Sequence, residues 1–559
     1  MGLRRTSLAF LALLSLVGCG DEDGRDETAI VPLQIATSEI VLHNDLGEHH
    51  RRITTSSETA QTYFDQGLRL QYAFDHPDAI RSYQEALKHD PECAMCWWGI
   101  ALAAGPDFNT LPPTDQESAD SLAQSLRLWR ARLAHGAIQK AELLSEESGV
   151  EADLIGALAT RYAEDPTAER APLDTLYTRA MEEVASRHPD DADVVTLYAA
   201  ALMNLNPWNY WNGPWGNRTA RPGTERILSS LERAIELNPN HPGACHYYIH
   251  AVEAAYPEKA IGCADRLAGL MPGAGHIVHM PGHIYIRVGR YYDAVTANEH
   301  AVHSDGGRAM LCTGACNLHN YDFMAFAATM AGMSEKALDA ARIVASQVTS
   351  DVADGAYGIQ NAVVLPQLTL VTFGRWEEVL NEPVRNEGLG QATALAHYAR
   401  GVALAALDRF DEARREQELL ADAAAAIEGG DTNAPVAAIA RHALAGELTL
   451  RSGHAKEAVG HFRAAADIED RLVYDEPPPL WYYPIRQSLG RALLEAGWPA
   501  DAEKAYREDL SKFPNNGWSL YGLALSLKDQ GRDQEAVEAM ARFDEAWQHA
   551  DVQLTASRF

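Results

Sequence analysis

The stretch S-E-T-A-Q-T-Y-F-D-Q-G-L-R-L-Q-Y-A-F-D-H-P-D-A-I-R-S-Y-Q-E-A-L-K-H-D-P, Ser57 to Pro91, decides the fold. Its apolar residues recur at helical spacing on both sides of a turn at His76-Pro77-Asp78. Asp90-Pro91 stops the second helix, because proline lacks the N–H that a helix needs and clashes with the preceding turn. Gly67, Ala79 and Ala86 put small residues at fixed offsets, so two antiparallel helices can approach closely.

The same pattern returns along the chain at Gly282, Tyr285, Gly289, Ala294 and Ala301, and again at Gly332, Ala337 and Ala341. Further copies contain Gly453, Ala458, Phe462 and Ala465, then Gly490, Leu493, Gly497, Ala502, Tyr506 and Pro514, then Gly531 and Ala536. Recurrence at this interval resembles the tetratricopeptide repeat, two helices in about 34 residues. No strand-like stretch with a hairpin turn competes, so the expected fold is an all-α tetratricopeptide superhelix of antiparallel helix pairs. E-C-A-M-C-W-W-G-I-A, N-P-N-H-P-G-A-C-H-Y-Y-I-H, A-G-H-I-V-H-M-P-G-H-I-Y and Y-R-E-D-L resemble a family of large bacterial tetratricopeptide proteins. That resemblance implies a fold and no particular reaction.

Two segments interrupt the array. Pro106 to Asp120 carries Pro112-Pro113, and Pro207 to Pro222 carries Trp208, Tyr210, Trp211 and Trp215 among prolines and glycines. Long loops inside repeat arrays are often functional, so Trp208, Trp211 and Trp215 are candidates to line a groove or close over it.

Nine of the 21 histidines fall between His241 and His319. On a helix, residues at i, i+3 or i+4, and i+7 share a face, so His246, His250 and Glu253 form one polar stripe and His276, His279 and His283 another. Neutral imidazoles and carboxylates are metal ligands. The competing reading is a histidine-rich packed or solvated face. The repeat resemblance implies that the first helix of each pair lines a concave groove. In that frame six histidines, with His319 as the sixth, and Glu253 are aimed into one groove, with Asp322 beside them as a substrate contact. The corresponding places of the first repeat hold Gln61, Phe64 and Leu68, while His300 and His303 lie on an outward-facing second helix.

Six imidazoles exceed what one ion takes, so one or two transition-metal ions are expected, and copper, zinc and iron all suit imidazole. Glu253 is either a ligand or a catalytic general base beside metal-bound water. Zinc-protease H-E-x-x-H, the G-x-S-x-G elbow and the phosphate-binding G-x-x-x-x-G-K-[ST] are missing. The leading reading is a metalloenzyme, redox or hydrolytic, acting on a small molecule or peptide held in the groove. The alternatives are a metal-free scaffold for a protein partner and a metal storage or delivery protein.

Arg4 and Arg5, an apolar run from Leu8 to Val17, and L-V-G-C ending at Cys19 form a secretory signal resembling the bacterial lipobox. The resemblance implies cleavage before Cys19, lipidation of its sulfur and a place in the cell envelope. The expected division is residues 1–18 as signal, 19–37 as tether, 38–350 as a histidine-bearing array and 351–559 as a second array continuous with it. A net charge of −31 repels phosphate backbones and anionic lipid, so no nucleic acid is expected and the lipid alone contacts the membrane. Cys93/Cys96 and Cys312/Cys316 are the local disulfide candidates, with a redox dithiol or a soft-metal pair also open at Cys93/Cys96.

Overall fold

The computed structural model describes residues 40–109, 121–304, 313–348, 359–383, 388–427, 434–472 and 474–559. The signal, Cys19, Pro112-Pro113, Cys312 and the side chain of Cys316 lie outside what is described. The fold is an all-α tetratricopeptide-type superhelix in which successive helices pack on one another. None of the described helices is long and apolar enough to cross a membrane.

Local chemistry sets the first pair. Ser57 caps the helix Glu58–Tyr72 by accepting from Ala60 N–H, and Asp75 caps His76–His89 by accepting from Asp78 N–H, leaving Pro77 in the first turn. The Tyr83 ring then lies between Gly67 and Gly99, where a Cβ at either glycine would come within 2.6 Å of it. Gly490, Tyr506 and Gly522 repeat this contact, and Gly446 against Phe462 repeats half of it. In each case a glycine meets the ring sixteen residues further on. Glycine is required there because the ring occupies the space of a side chain.

The superhelix closes on itself. Trp518 Nε1 donates to the Thr329 carbonyl at 3.0 Å, and the Asp551 carboxylate accepts from the backbone N–H groups of Ser334 at 2.7 Å and Glu335 at 3.1 Å. One hydrophobic core consequently includes Leu46, Phe323 and Leu554. The closure also carries the segment Tyr474 to Glu476 onto the middle of the chain, where Asp475 pairs with Arg218 at 2.5 Å.

Three details depart from the expectations. The tryptophan loop contains a short antiparallel ribbon, Trp211–Asn212 against Thr219–Ala220. The stretch bearing His276, His279 and His283 is divided into Gly275–His279 and Pro281–Val288, because Pro281 starts a new helix. Cys93 pairs with Cys96 as expected, whereas an unexpected second disulfide joins Cys245 to Cys263, tying the helix Pro242–Val252 to Ile261–Leu270.

Candidate metal centre

The helices Pro242–Val252, Gly275–His279, Pro281–Val288 and Thr313–Met330 bring the six histidines together, but in different groupings from the stripes seen in the sequence. His246, His250 and His276 form one group, and His279, His283 and His319 the other. Within each group one ligand atom per residue lies within 4.8 Å of the other two. In the first, His246 Nε2 is 3.1 Å from His250 Nε2 and 3.0 Å from His276 Nε2. In the second, His279 Nε2 is 2.9 Å from His283 Nε2. The groups are neighbours, with the ring centroids of His250 and His283 5.8 Å apart.

The partners of the opposite ring nitrogens place the protons. His246 Nδ1 lies 2.6 Å from the Tyr72 carbonyl, which can only accept, so Nδ1 carries the hydrogen and Nε2 a lone pair. Two further nitrogens approach that single lone pair. His279 Nδ1 lies 2.6 Å from Asn298 Oδ1, whose amide nitrogen is occupied in donating to the Ala294 carbonyl, so His279 Nε2 is again a lone pair. His283 Nδ1 lies 2.8 Å from Glu253 Oε2, and with Glu253 ionised its Nε2 faces that of His279 lone pair to lone pair. Such a contact repels unless a cation lies between the nitrogens. Burial pushes His246, His250 and His283 down to about 3, and His276, His279 and His319 well below the usual histidine range. A proton is therefore a poor choice of cation near neutrality, whereas a metal ion bound by neutral Nε2 atoms resolves the repulsion.

Each group has an aromatic cover. Phe74 lies 4.5 Å from His246, 5.4 Å from His276 and 5.9 Å from His250, centroid to centroid. Phe323 lies 4.7 Å from His279, 4.7 Å from His283 and 4.6 Å from His319. Phe74 (φ 61°) and Trp208 (φ 59°) hold a left-handed backbone conformation that bulky residues rarely adopt, and both touch the first group. Strain of this kind concentrates at functional sites.

Glu253 does not stand among the converging ligand atoms. It is buried behind them, with one oxygen on His283 Nδ1, whose ring it orients, and the other 3.5 Å from His250 Nδ1. Burial raises its pKa, opposed by His250 and by the charge of Arg287. Among the other candidates, Trp208 stands edge-on to His250 at 5.0 Å. Trp211 packs beneath, its indole N–H donating to the Ala251 carbonyl, and Trp215 lies over the Arg287 guanidinium at 4.4 Å. Asp322 is half-buried one turn on from His319, and burial raises it to about 7. The expected open groove is closed here, since His246, His250, His279 and His283 are at most 4% exposed. Glu476 comes from the closing segment to within 3.6 Å of His319 Nε2.

Asn298, Phe74, Phe323, Tyr72 and Glu476 were not anticipated. Asn298 had a legible signal. It stands sixteen residues after Gly282, at the place where other repeats carry Tyr83, Phe462 or Tyr506, so a packing position has become a hydrogen-bond acceptor for His279.

A third cluster, His49, Asp193 and His241, has metal-like composition but a different proton arrangement. His241 Nδ1 accepts the Ala244 N–H as a helix cap, which leaves the hydrogen on Nε2, 3.1 Å from Asp193 Oδ1. The same oxygen accepts from the Tyr72 hydroxyl at 2.6 Å and contacts His49 Nε2 at 3.0 Å, while Arg51 donates to Oδ2 at 3.2 Å. Against burial, which raises it, His241 and His49 hold the Asp193 carboxyl well below its ordinary range. The cluster is a satisfied hydrogen-bond knot, and through Tyr72 it fixes the carbonyl that orients His246.

No family model matches the chain, and no curated protein matches its sequence. Among solved structures it is similar to the human IFIT1 dimer with m7Gppp-AAAA, at 12% identity and a TM-score of 0.28, covering 88% of this chain and 91% of that one. It is also similar to the APC/C hetero-tetramer Cut9–Hcn1, at 11% identity and a TM-score of 0.33, covering 89% and 80%. Likeness at this level carries no argument about function, which rests on the chain's own geometry.

Proposed function

We propose that this chain is an envelope metalloprotein with enzymatic function, holding one transition-metal ion on His246, His250 and His276 and a second on His279, His283 and His319. The observation that carries the reading is the pair of tri-histidine clusters with converging ring nitrogens, in which Tyr72 and Asn298 draw the hydrogens of His246 and His279 to Nδ1. Three protein ligands leave coordination positions for a small molecule, the arrangement that distinguishes catalytic from closed structural sites. Half-buried His276 and His319 mark the sides from which a small substrate reaches the centre, with Trp208 and Asp322 near its path. Elemental analysis of untagged protein should find two transition-metal ions per chain. Metal-free protein that also refuses copper, zinc and iron overturns the reading.

We further propose lipid anchoring at Cys19, which L-V-G-C supports and with which two disulfides accord, since such bonds persist in oxidising compartments. Cys19→Ser should release the protein from membranes, and a variant that still sediments with them contradicts the anchor.

A further inference from the structure

Six imidazoles, with no thiolate or carboxylate among them, converge at the two groups. Every first ligand is therefore neutral, and the charge of bound ions is balanced only by groups further out. Around the pair stand four carboxyls, Glu253, Asp322, Asp475 and Glu476, and two guanidiniums, Arg218 and Arg287. Even if every one of them were ionised the surplus would be no more than two negative charges, which two monovalent ions match and two divalent ions exceed. A buried excess of charge is costly. A divalent pair could recover neutrality by taking hydroxide ligands, but those need hydrogen-bond partners. What lies against the rings of the first group is Phe74 and Trp208, and against those of the second Phe323, with the Glu476 carboxyl 3.6 Å from His319 Nε2. A monovalent ion content with three nitrogen donors fits this setting better, and among the first-row metals that imidazole binds this is copper(I).

Resting on the metal reading above, we propose that the two groups hold a pair of copper ions that cycles between Cu(I) and Cu(II), with dioxygen as the oxidant. Dioxygen is small, neutral and apolar, so it can enter a buried aromatic-lined centre. The groups adjoin, with the rings of His250 and His283 5.8 Å apart and Glu253 behind both, which places two one-electron donors side by side. Each Cu(I) gives up one electron. Dioxygen takes both, with two protons from solvent, and leaves as hydrogen peroxide. The surroundings that favour Cu(I) disfavour the Cu(II) pair, which makes it a strong oxidant that a small organic reductant such as ascorbate returns to Cu(I).

The test uses the untagged full chain, stripped of metal and handled without oxygen. It is given Cu(I) alone, Zn(II) alone, then both at equal concentration. The expected result is two Cu(I) per chain in the mixture, then one dioxygen consumed and one hydrogen peroxide released per chain on exposure to air, with ascorbate restoring the reduced form. Zinc retained against Cu(I), or bound copper that air does not oxidise, overturns the copper and dioxygen proposal while leaving the metal reading intact. Binding of neither ion overturns both. Phe323→Ala, which admits water to one group, should increase the zinc held in the mixture, and an unchanged ratio contradicts the role given to the aromatic cover.

Discussion

The two tri-histidine groups and the His49–Asp193–His241 knot are built from similar residues within one core, yet they are prepared for opposite tasks. In the knot, a helix cap on Nδ1 of His241 sends its hydrogen toward Asp193, whose oxygens also take the Tyr72 hydroxyl and Arg51 Nη1. In the tri-histidine groups, acceptors behind His246 and His279 draw their hydrogens away from the meeting point and leave an Nε2 lone pair aimed into each group. The same side chain serves as structure or as ligand according to which of its nitrogens the fold occupies.

The largest expected effect breaks the knot. Asp193→Ala leaves the Arg51 guanidinium, the Tyr72 hydroxyl and two histidines without their shared acceptor in the core, and removing one member of such a buried charged network costs about 3–5 kcal/mol. Urea denaturation of metal-free protein measures it. A loss under about 1 kcal/mol would mean the knot behaves as a surface ion pair.

Gly282→Leu comes next and joins both kinds of site. A Cβ at Gly282 would lie 2.8 Å from Asn298 Nδ2, so a larger side chain overpacks the helix contact at about 1–3 kcal/mol and displaces the acceptor that orients His279. The expected signature is lower stability together with one ion lost per chain. Retention of both ions would show that Asn298 does not position His279.

A sharper contrast compares two histidines. His241→Ala removes a helix cap, costs about 1 kcal/mol by cap loss alone, and should leave the metal content unchanged. His276→Ala should remove the first ion while shifting metal-free stability by no more than about 0.5 kcal/mol, since its ring is only half-buried. If His276→Ala destabilises metal-free protein more than His241→Ala, the histidines are ordinary core residues.

Acidification gives the most gradual effect. His246, His250 and His283 sit near 3 in the folded chain against about 6.5 in an unfolded one, so the unfolded state binds protons that the folded state refuses. Their contribution is intact above about pH 6.5 and falls as pH drops toward 3. The melting temperature of metal-free protein should therefore decline from pH 7 to pH 5, and a flat profile would contradict the neutral, buried imidazoles.

The fold was legible because glycine, alanine and proline recur at fixed offsets, and each offset is a helix contact that tolerates only a small residue, as at Gly67 and Gly490 against their tyrosine rings. The six histidines were legible from helical spacing. Their grouping was not, because Pro281 restarts the helix and because the pairing of His276 with His246 depends on how neighbouring helices sit. Glu253 shared a stripe with two histidines and so resembled a ligand, yet a residue at the end of its helix reaches the Nδ1 side of the rings instead. Glu476 and the closure of the superhelix were beyond reach, since no local pattern reports that residues so far along the chain return to His319. Asn298 could have been found by asking which repeat lacks its ring.

Anomalous diffraction from crystals of untagged, metal-loaded protein tests the central claim most directly. The account predicts two peaks per chain, one about 2.0–2.1 Å from Nε2 of His246, His250 and His276, the other bound by His279, His283 and His319, with none at His49, Asp193 and His241. A peak at the knot, or well-ordered triads that stay empty under saturating copper and zinc, would contradict it.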